Sequence, residues 1–149
     1  MRLPLTGLIV AGLFMLQAGG VAGAKTHQDA LTAMFVWWND AYKQSDGFTP
    51  EAFARYFTAD AVLRVNGVDR CKGLAEWSSH FRAIKAHTEQ VEIELPFIDE
   101  FESPGGDRIF THHLVNAREN GKDSEERVMG YATVTGGKIS LINFVSVPK

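Results

Sequence analysis

Apolar residues recur at helical spacing from Leu31 through Met34, Phe35, Trp38, Ala41 and Tyr42, which predicts an amphipathic helix with that stripe facing inward. Thr26-His27-Gln28-Asp29 ahead of it has the form of a capping box, and Gly47 after Ser45-Asp46 is placed to end it. Thr49-Pro50-Glu51 predicts a second, short helix with a capping hydroxyl, a proline in the first turn and an acid against the dipole. Phe53, Tyr56 and Phe57 give that helix its apolar face. Ala61-Val62-Leu63-Arg64-Val65 reads as a strand and Asn66-Gly67 as a tight hairpin turn. A third helix is predicted after Gly73, with Leu74, Trp77, Phe81 and Ile84 on one side.

From Thr88 onward the period changes to two. Val91, Ile93, Leu95 and Phe97 alternate with Glu92 and Glu94, the pattern of a half-buried strand. Turn signals at Ser103-Pro104-Gly105-Gly106, Asn120-Gly121 and Gly136-Gly137 separate further strands over 108–118, 127–134 and 139–147. Four long strands joined by short turns form an antiparallel meander whose inner face the three helices must cover. The fold class is therefore α+β, in one domain.

Residues 1–24 stand apart from this pattern. Arg2 is followed by the apolar run from Gly7 to Leu16, and Ala22-Gly23-Ala24 fits the small-residue cleavage site of a secretory signal peptide. The stretch is long enough to be weighed as a membrane anchor. Its strongly apolar part is only as long as a signal core, and Thr6, Gln17 and the glycines dilute it. The expectation is export to the periplasm or beyond, cleavage after Ala24, and a mature domain over 25–149 with no stable membrane association. The chain has 149 residues with 15 Lys+Arg against 18 Asp+Glu and a net charge of −3, so it lacks the basic footprint of a nucleic-acid binder. Cys71 is the only cysteine, which excludes a disulfide scaffold and reads as a small buried hydrophobe rather than an activated thiol.

Tyr56-Phe57-Thr58-Ala59-Asp60-Ala61-Val62, running to Cys71-Lys72-Gly73-Leu74-Ala75-Glu76-Trp77, carries an aromatic-x-x-Asp-Ala-strand, loop, Gly, helix pattern. With Gly136-Gly137-Lys138-Ile139 opening the last strand, the chain over about 27–147 resembles the nuclear transport factor 2-like superfamily, in its SnoaL-like and ketosteroid isomerase-like branch. The resemblance implies a cone-like α+β barrel: three N-terminal helices packed on a strongly bent antiparallel β-sheet. The superfamily spans isomerases, polyketide cyclases, hydratases and non-catalytic dimerisation modules, so the fold alone names no activity. Matched against ketosteroid isomerase, whose Asp base and Tyr–Asp oxyanion hole are a worked case of pKa tuning, this chain has Val65 at the base and Trp38 and Met129 at the two oxyanion positions. Steroid isomerisation is therefore not transferred.

The same alignment turns Thr111, His113, Val115 and Ala117 inward on one strand. It does the same for Met129, Tyr131 and Thr133 on the next, and for Ile142, Phe144 and Ser146 on the last. A cavity lined by Trp38, Val65, Thr111, Met129, Tyr131 and Phe144 would be apolar with few polar handles, the make-up of a small-molecule pocket and equally of a packed core. His113 is the candidate general acid–base, against the alternative of a core histidine satisfied by its neighbours. His80 is placed on a solvated helix flank or at the cavity mouth. No metal or cofactor is expected: His112 and His113 point to opposite faces, and His80 and His87 lie two turns apart. Arg64 and the acidic pair Glu125-Glu126 read as solvated charge, and one of Trp37 and Trp38 must leave the core stripe. Two readings remain. One is an exported enzyme doing His-based isomerase, cyclase or hydratase chemistry on a small apolar molecule; the other is a non-catalytic ligand-binding or interaction module. The resemblance implies a homodimer for either.

Overall fold

The computed structural model describes residues 28–149; the predicted leader over 1–24 lies outside the described residues. Helix α1 (Ala30–Tyr42) buries Leu31, Met34, Phe35, Trp38, Ala41 and Tyr42, the stripe its spacing predicts. Its cap is Asp29 rather than a residue three positions earlier: the Asp29 carboxylate accepts from Leu31 N at 2.8 Å and Thr32 N at 2.9 Å. The helix ends at Lys43, a turn before Gly47. Gly47 serves a different purpose, because a Cβ there would lie 2.0 Å from the Ala41 carbonyl oxygen as the chain folds back.

Helix α2 (Pro50–Phe53) is capped by Thr49, whose hydroxyl accepts from Ala52 N at 3.2 Å. Strands β1 (Phe57–Val65) and β2 (Val68–Lys72) form the hairpin expected at Asn66-Gly67, and α3 (Leu74–His87) follows Gly73. Phe48, Phe53, Phe57 and Trp77 are fully buried and pack ring to ring beneath α3, the Phe57 and Trp77 centroids being 4.3 Å apart. Trp37 is the tryptophan that leaves the core stripe. It is half-buried, stacked on Tyr56 at 5.0 Å and edge-on to Phe53 at 5.1 Å. Cys71 on β2 is 4% exposed, and burial, with the Glu76 carboxylate adding to it, pushes its thiol up to about 11.

The remaining strands are β3 (Gln90–Ile93), β4 (Asp99–Glu102), β5 (Arg108–Glu119), β6 (Lys122–Thr135) and β7 (Lys138–Pro148). One sheet runs in the order β2-β1-β7-β6-β5-β3, with β4 also paired to β5. It is curved, and it does not close. Two expectations need correction. The run Val91 to Phe97 is not one strand: β3 and β4 pair in turn along β5, and Leu95-Pro96 lies in the gap between them, where proline can donate no ladder hydrogen bond. The sheet is also mixed rather than wholly antiparallel, because β1 pairs with β7 in parallel. That contact is non-local, so no turn signal announces it.

A third difference is a matter of phase. The Gly136-Gly137 hairpin starts in the expected register, Thr135 opposite Lys138 and Val134 opposite Ile139, but a bulge then slips the pairing by one, so that Ala132 faces Ile142 and Gly130 faces Phe144. The inward set on β6 becomes Val128, Gly130 and Ala132 in place of Met129, Tyr131 and Thr133. The phases of β5 and of the C-terminal half of β7 are as the alternation predicts.

Candidate apolar binding site

The concave face of the sheet and the two long helices enclose a cavity of about 230 Å³. Phe35 and Trp38 of α1 form one wall, and Trp77, Phe81 and Ile84 of α3 another. Val65 of β1 and Ile142 and Phe144 of β7 supply the floor, with His113 and Val115 of β5 and Val128 of β6 beside them. The alternation that puts His113 inward also puts Thr111 behind it, 5% exposed, with its Oγ1 3.2 Å from His113 Nδ1. Thr111 does not itself line the cavity.

His113 is 2% exposed and sits among the rings of Phe35, Phe97 and Phe144, with centroids 5.3–5.4 Å away. Burial among hydrocarbon disfavours the imidazolium, and the adjacent His112 works in the same direction, so its pKa falls to about 4. At neutral pH His113 is uncharged. At the mouth stand His80, Glu126 and Ser146, whose hydroxyl donates to the Glu126 carboxylate. Burial, with the Arg70 charge adding to it, lowers the His80 pKa as well.

Trp38, Val65, His113 and Phe144 thus come together in one cavity, with Thr111 as a buried support. Met129 and Tyr131 do not. Met129 is 48% exposed on the convex face, beside His112 and Val145, and Tyr131 lies there against Phe110 under the Arg108 guanidinium. Both follow from the register slip at the bulge. Glu126 is not merely solvated charge, as its sequence position suggests; it reaches the mouth because it pairs with the inward Val115, which only the strand register reveals. Among the described residues no group of His, Cys, Asp and Glu side chains is placed to hold a metal ion, and no helix is long and apolar enough to cross a membrane.

The buried imidazole makes stability depend on pH with a definite sign. An unfolded histidine takes up its proton near 6.5, whereas folded His113 does so only near 4. Between these values the unfolded chain binds more protons, so stability falls as pH falls, by about 3 kcal/mol over the window. Glu100 acts in the opposite sense. Partial desolvation of this exposed side chain, with the Asp29 carboxyl adding to it, raises its pKa from 4.5 to about 7, so its contribution is fully present below 4.5 and is lost as pH rises through 7. Denaturant titrations of the wild type and His113→Asn at each pH from 7 to 4 separate the two effects: the loss on acidification is expected to be much smaller in the variant.

No family model matches the chain, and no curated protein matches it. Solved structures do. An NTF2-like protein of unknown function from Exiguobacterium superposes with a TM-score of 0.64 at 17% identity, covering 80% of this chain and 98% of its own. The chain has the nuclear transport factor 2-like fold. A protein with a ketosteroid isomerase-like fold from Catenulispora acidiphila, solved in complex with trimethylamine, gives 0.57 at 16% identity over 75% of this chain and 82% of its own. A candidate polyketide cyclase from Pseudomonas putida gives 0.61 at 15% identity over 78% and 88%. At such identities the likeness carries the α+β cone and none of its activities.

Proposed function

We propose that this NTF2-like chain binds one small apolar molecule, about the size of a single substituted ring, between α1, α3 and the concave face of the sheet. One observation carries the reading: an apolar cavity with one neutral imidazole in its inner wall and His80, Glu126 and Ser146 at its mouth. The volume of about 230 Å³ lies just below the roughly 300–1,000 Å³ of pockets for drug-sized ligands, which sets the size of the occupant. The fold neighbour in complex with trimethylamine and the candidate polyketide cyclase are consistent with small-molecule occupancy of this fold.

His113 is the polar anchor in this reading. As a general base it would be weak at neutral pH, because catalytic proton transfer is best served by a pKa near the working pH and its own lies near 4. The carboxylate lining the cavity, Glu126, stands at the mouth and not behind the imidazole. Non-catalytic binding is therefore the favoured role, and acid–base chemistry through His113 the second. Val65→Phe fills the cavity from a half-buried strand position and is expected to abolish binding of one-ring probes such as cyclohexanone, followed through methyl shifts of Val128 and Ile142. Unchanged binding in a folded Val65→Phe protein would place the ligand elsewhere.

Export with cleavage after Ala24, and pairing of two copies over the convex face that exposes Phe101, Met129 and Val145, belong to the same proposal. N-terminal sequencing and light scattering of the exported protein test both; an intact leader or a monomer counts against them.

A further inference from the structure

The hydrogen bonds behind His113 determine what kind of group the cavity accepts. His113 is neutral, so one ring nitrogen carries a hydrogen and the other a lone pair. Among the described residues, the hydrogen-bond partner of the buried Thr111 hydroxyl is His113 Nδ1, at 3.2 Å. Two arrangements are possible. If Nδ1–H donates to Thr111 Oγ1, the hydroxyl hydrogen is left without an acceptor among the described residues, on a side chain that is 5% exposed and does not line the cavity. If instead the Thr111 hydroxyl donates to Nδ1, the hydrogen moves to Nε2, and the donor left over belongs to a side chain that lines the cavity and can be satisfied by whatever occupies it. A buried donor without a partner is the expensive case, so the second arrangement prevails.

We infer that His113 presents Nε2–H to the cavity, and that the ligand is a small cyclic molecule whose buried end is a neutral hydrogen-bond acceptor, a carbonyl or ether oxygen. This rests on the binding role proposed above and adds the ligand's polarity to it. The acceptor is uncharged because no Lys or Arg lines the cavity among the described residues, and the carboxylate at its mouth, Glu126, repels an anion. A buried carboxylate ligand would lose its hydration with only a neutral N–H in return. An ammonium at the inner end would meet a donor instead of an acceptor. The rings of Phe35, Phe97 and Phe144 hold the imidazole plane, so the donor direction is set before the ligand arrives.

Two measurements test this on the purified protein. Nitrogen-15 correlation spectra of the His113 ring at neutral pH are expected to show the Nε2-protonated tautomer, moving toward a mixture in Thr111→Val and returning in Thr111→Ser. An Nδ1-protonated ring in the wild type overturns the inference, whether or not any ligand binds. Titration with cyclohexanone and with its hydrocarbon isostere methylenecyclohexane is expected to favour the ketone by about tenfold or more, and both over cyclohexanecarboxylate and cyclohexylammonium. Thr111→Val should weaken the preference for the ketone in proportion to the fraction of rings that leave the Nε2-protonated state, and Thr111→Ser should restore it. Equal binding of ketone and hydrocarbon to the wild type overturns the acceptor requirement while leaving the binding role intact. If no probe binds, the binding role at this ring size fails, and the ring spectrum still decides the direction of the hydrogen bond.

Discussion

Gly130→Ala is expected to cost about 3 kcal/mol or more and to lower the thermal midpoint by about 10 °C, the largest loss from any single added methyl in the sheet. Gly130 lies in the middle of β6 at φ 154, opposite Phe144 of β7 and Thr111 of β5. A Cβ there would stand 2.1 Å from the Asn143 carbonyl oxygen and 2.8 Å from the Phe144 ring. The nearest obstacle is backbone in the adjoining strand, which cannot yield without breaking the ladder on both sides of the site. Gly137→Ala is the control. It also sits at positive φ, 78°, but a Cβ there meets nothing within 4 Å, so only the backbone strain of the turn is charged, about 1 kcal/mol. Differential scanning of the two variants should separate them clearly; comparable midpoints would mean that β6 and β7 leave room for a Cβ at Gly130.

Trp77→Ala is expected to destabilise by about 3–5 kcal/mol, the range for removing a fully buried large aromatic. Trp77 is 1% exposed and its ring lies against Phe57 at 4.3 Å, Phe81 at 5.7 Å and Phe53 at 5.8 Å, so it joins α3 to β1 and α2 at once. Its indole N–H also donates to the Ala61 carbonyl at 2.9 Å. That oxygen has a second donor in Gly73 N, so losing the indole leaves it paired, and most of the cost is cavity. Trp77→Phe keeps much of the packing and should recover more than half of the loss in urea titrations. Recovery to the wild-type level would show that the indole N–H contributes nothing.

Much of this molecule is legible from the chain because much of it is set locally. The α1 stripe, the Thr49 cap, the Asn66-Gly67 hairpin and the inward phase of His113 each follow from neighbours a few residues away, and each stands where the pattern puts it. What is not legible depends on contacts between distant segments. The parallel β1–β7 pairing has no turn to signal it, and the bulge that sends Met129 and Tyr131 outward arises where β7 passes from hairpin to sheet. Glu126 belongs to the site for the same reason: a strand register places it at the mouth, which its own neighbourhood does not show, whereas His80 stands at the mouth that its helix position already offered. In the run Val91 to Phe97 the alternation continues through Pro96, although the strand itself is interrupted there.

Cys71 turns the chain into its own clock. It is the only thiol in the sequence, and it is buried on β2 and held protonated by its surroundings. A reagent that needs thiolate therefore finds almost nothing to attack in the closed protein and a free cysteine in the open one. The rate of its alkylation in native buffer, divided by the rate for an unstructured peptide thiol, gives the fraction of time the β1–β2 edge spends open. Without any engineered label, one slow chemical reaction can thus report how often this side of the cone comes apart, with and without an occupant inside.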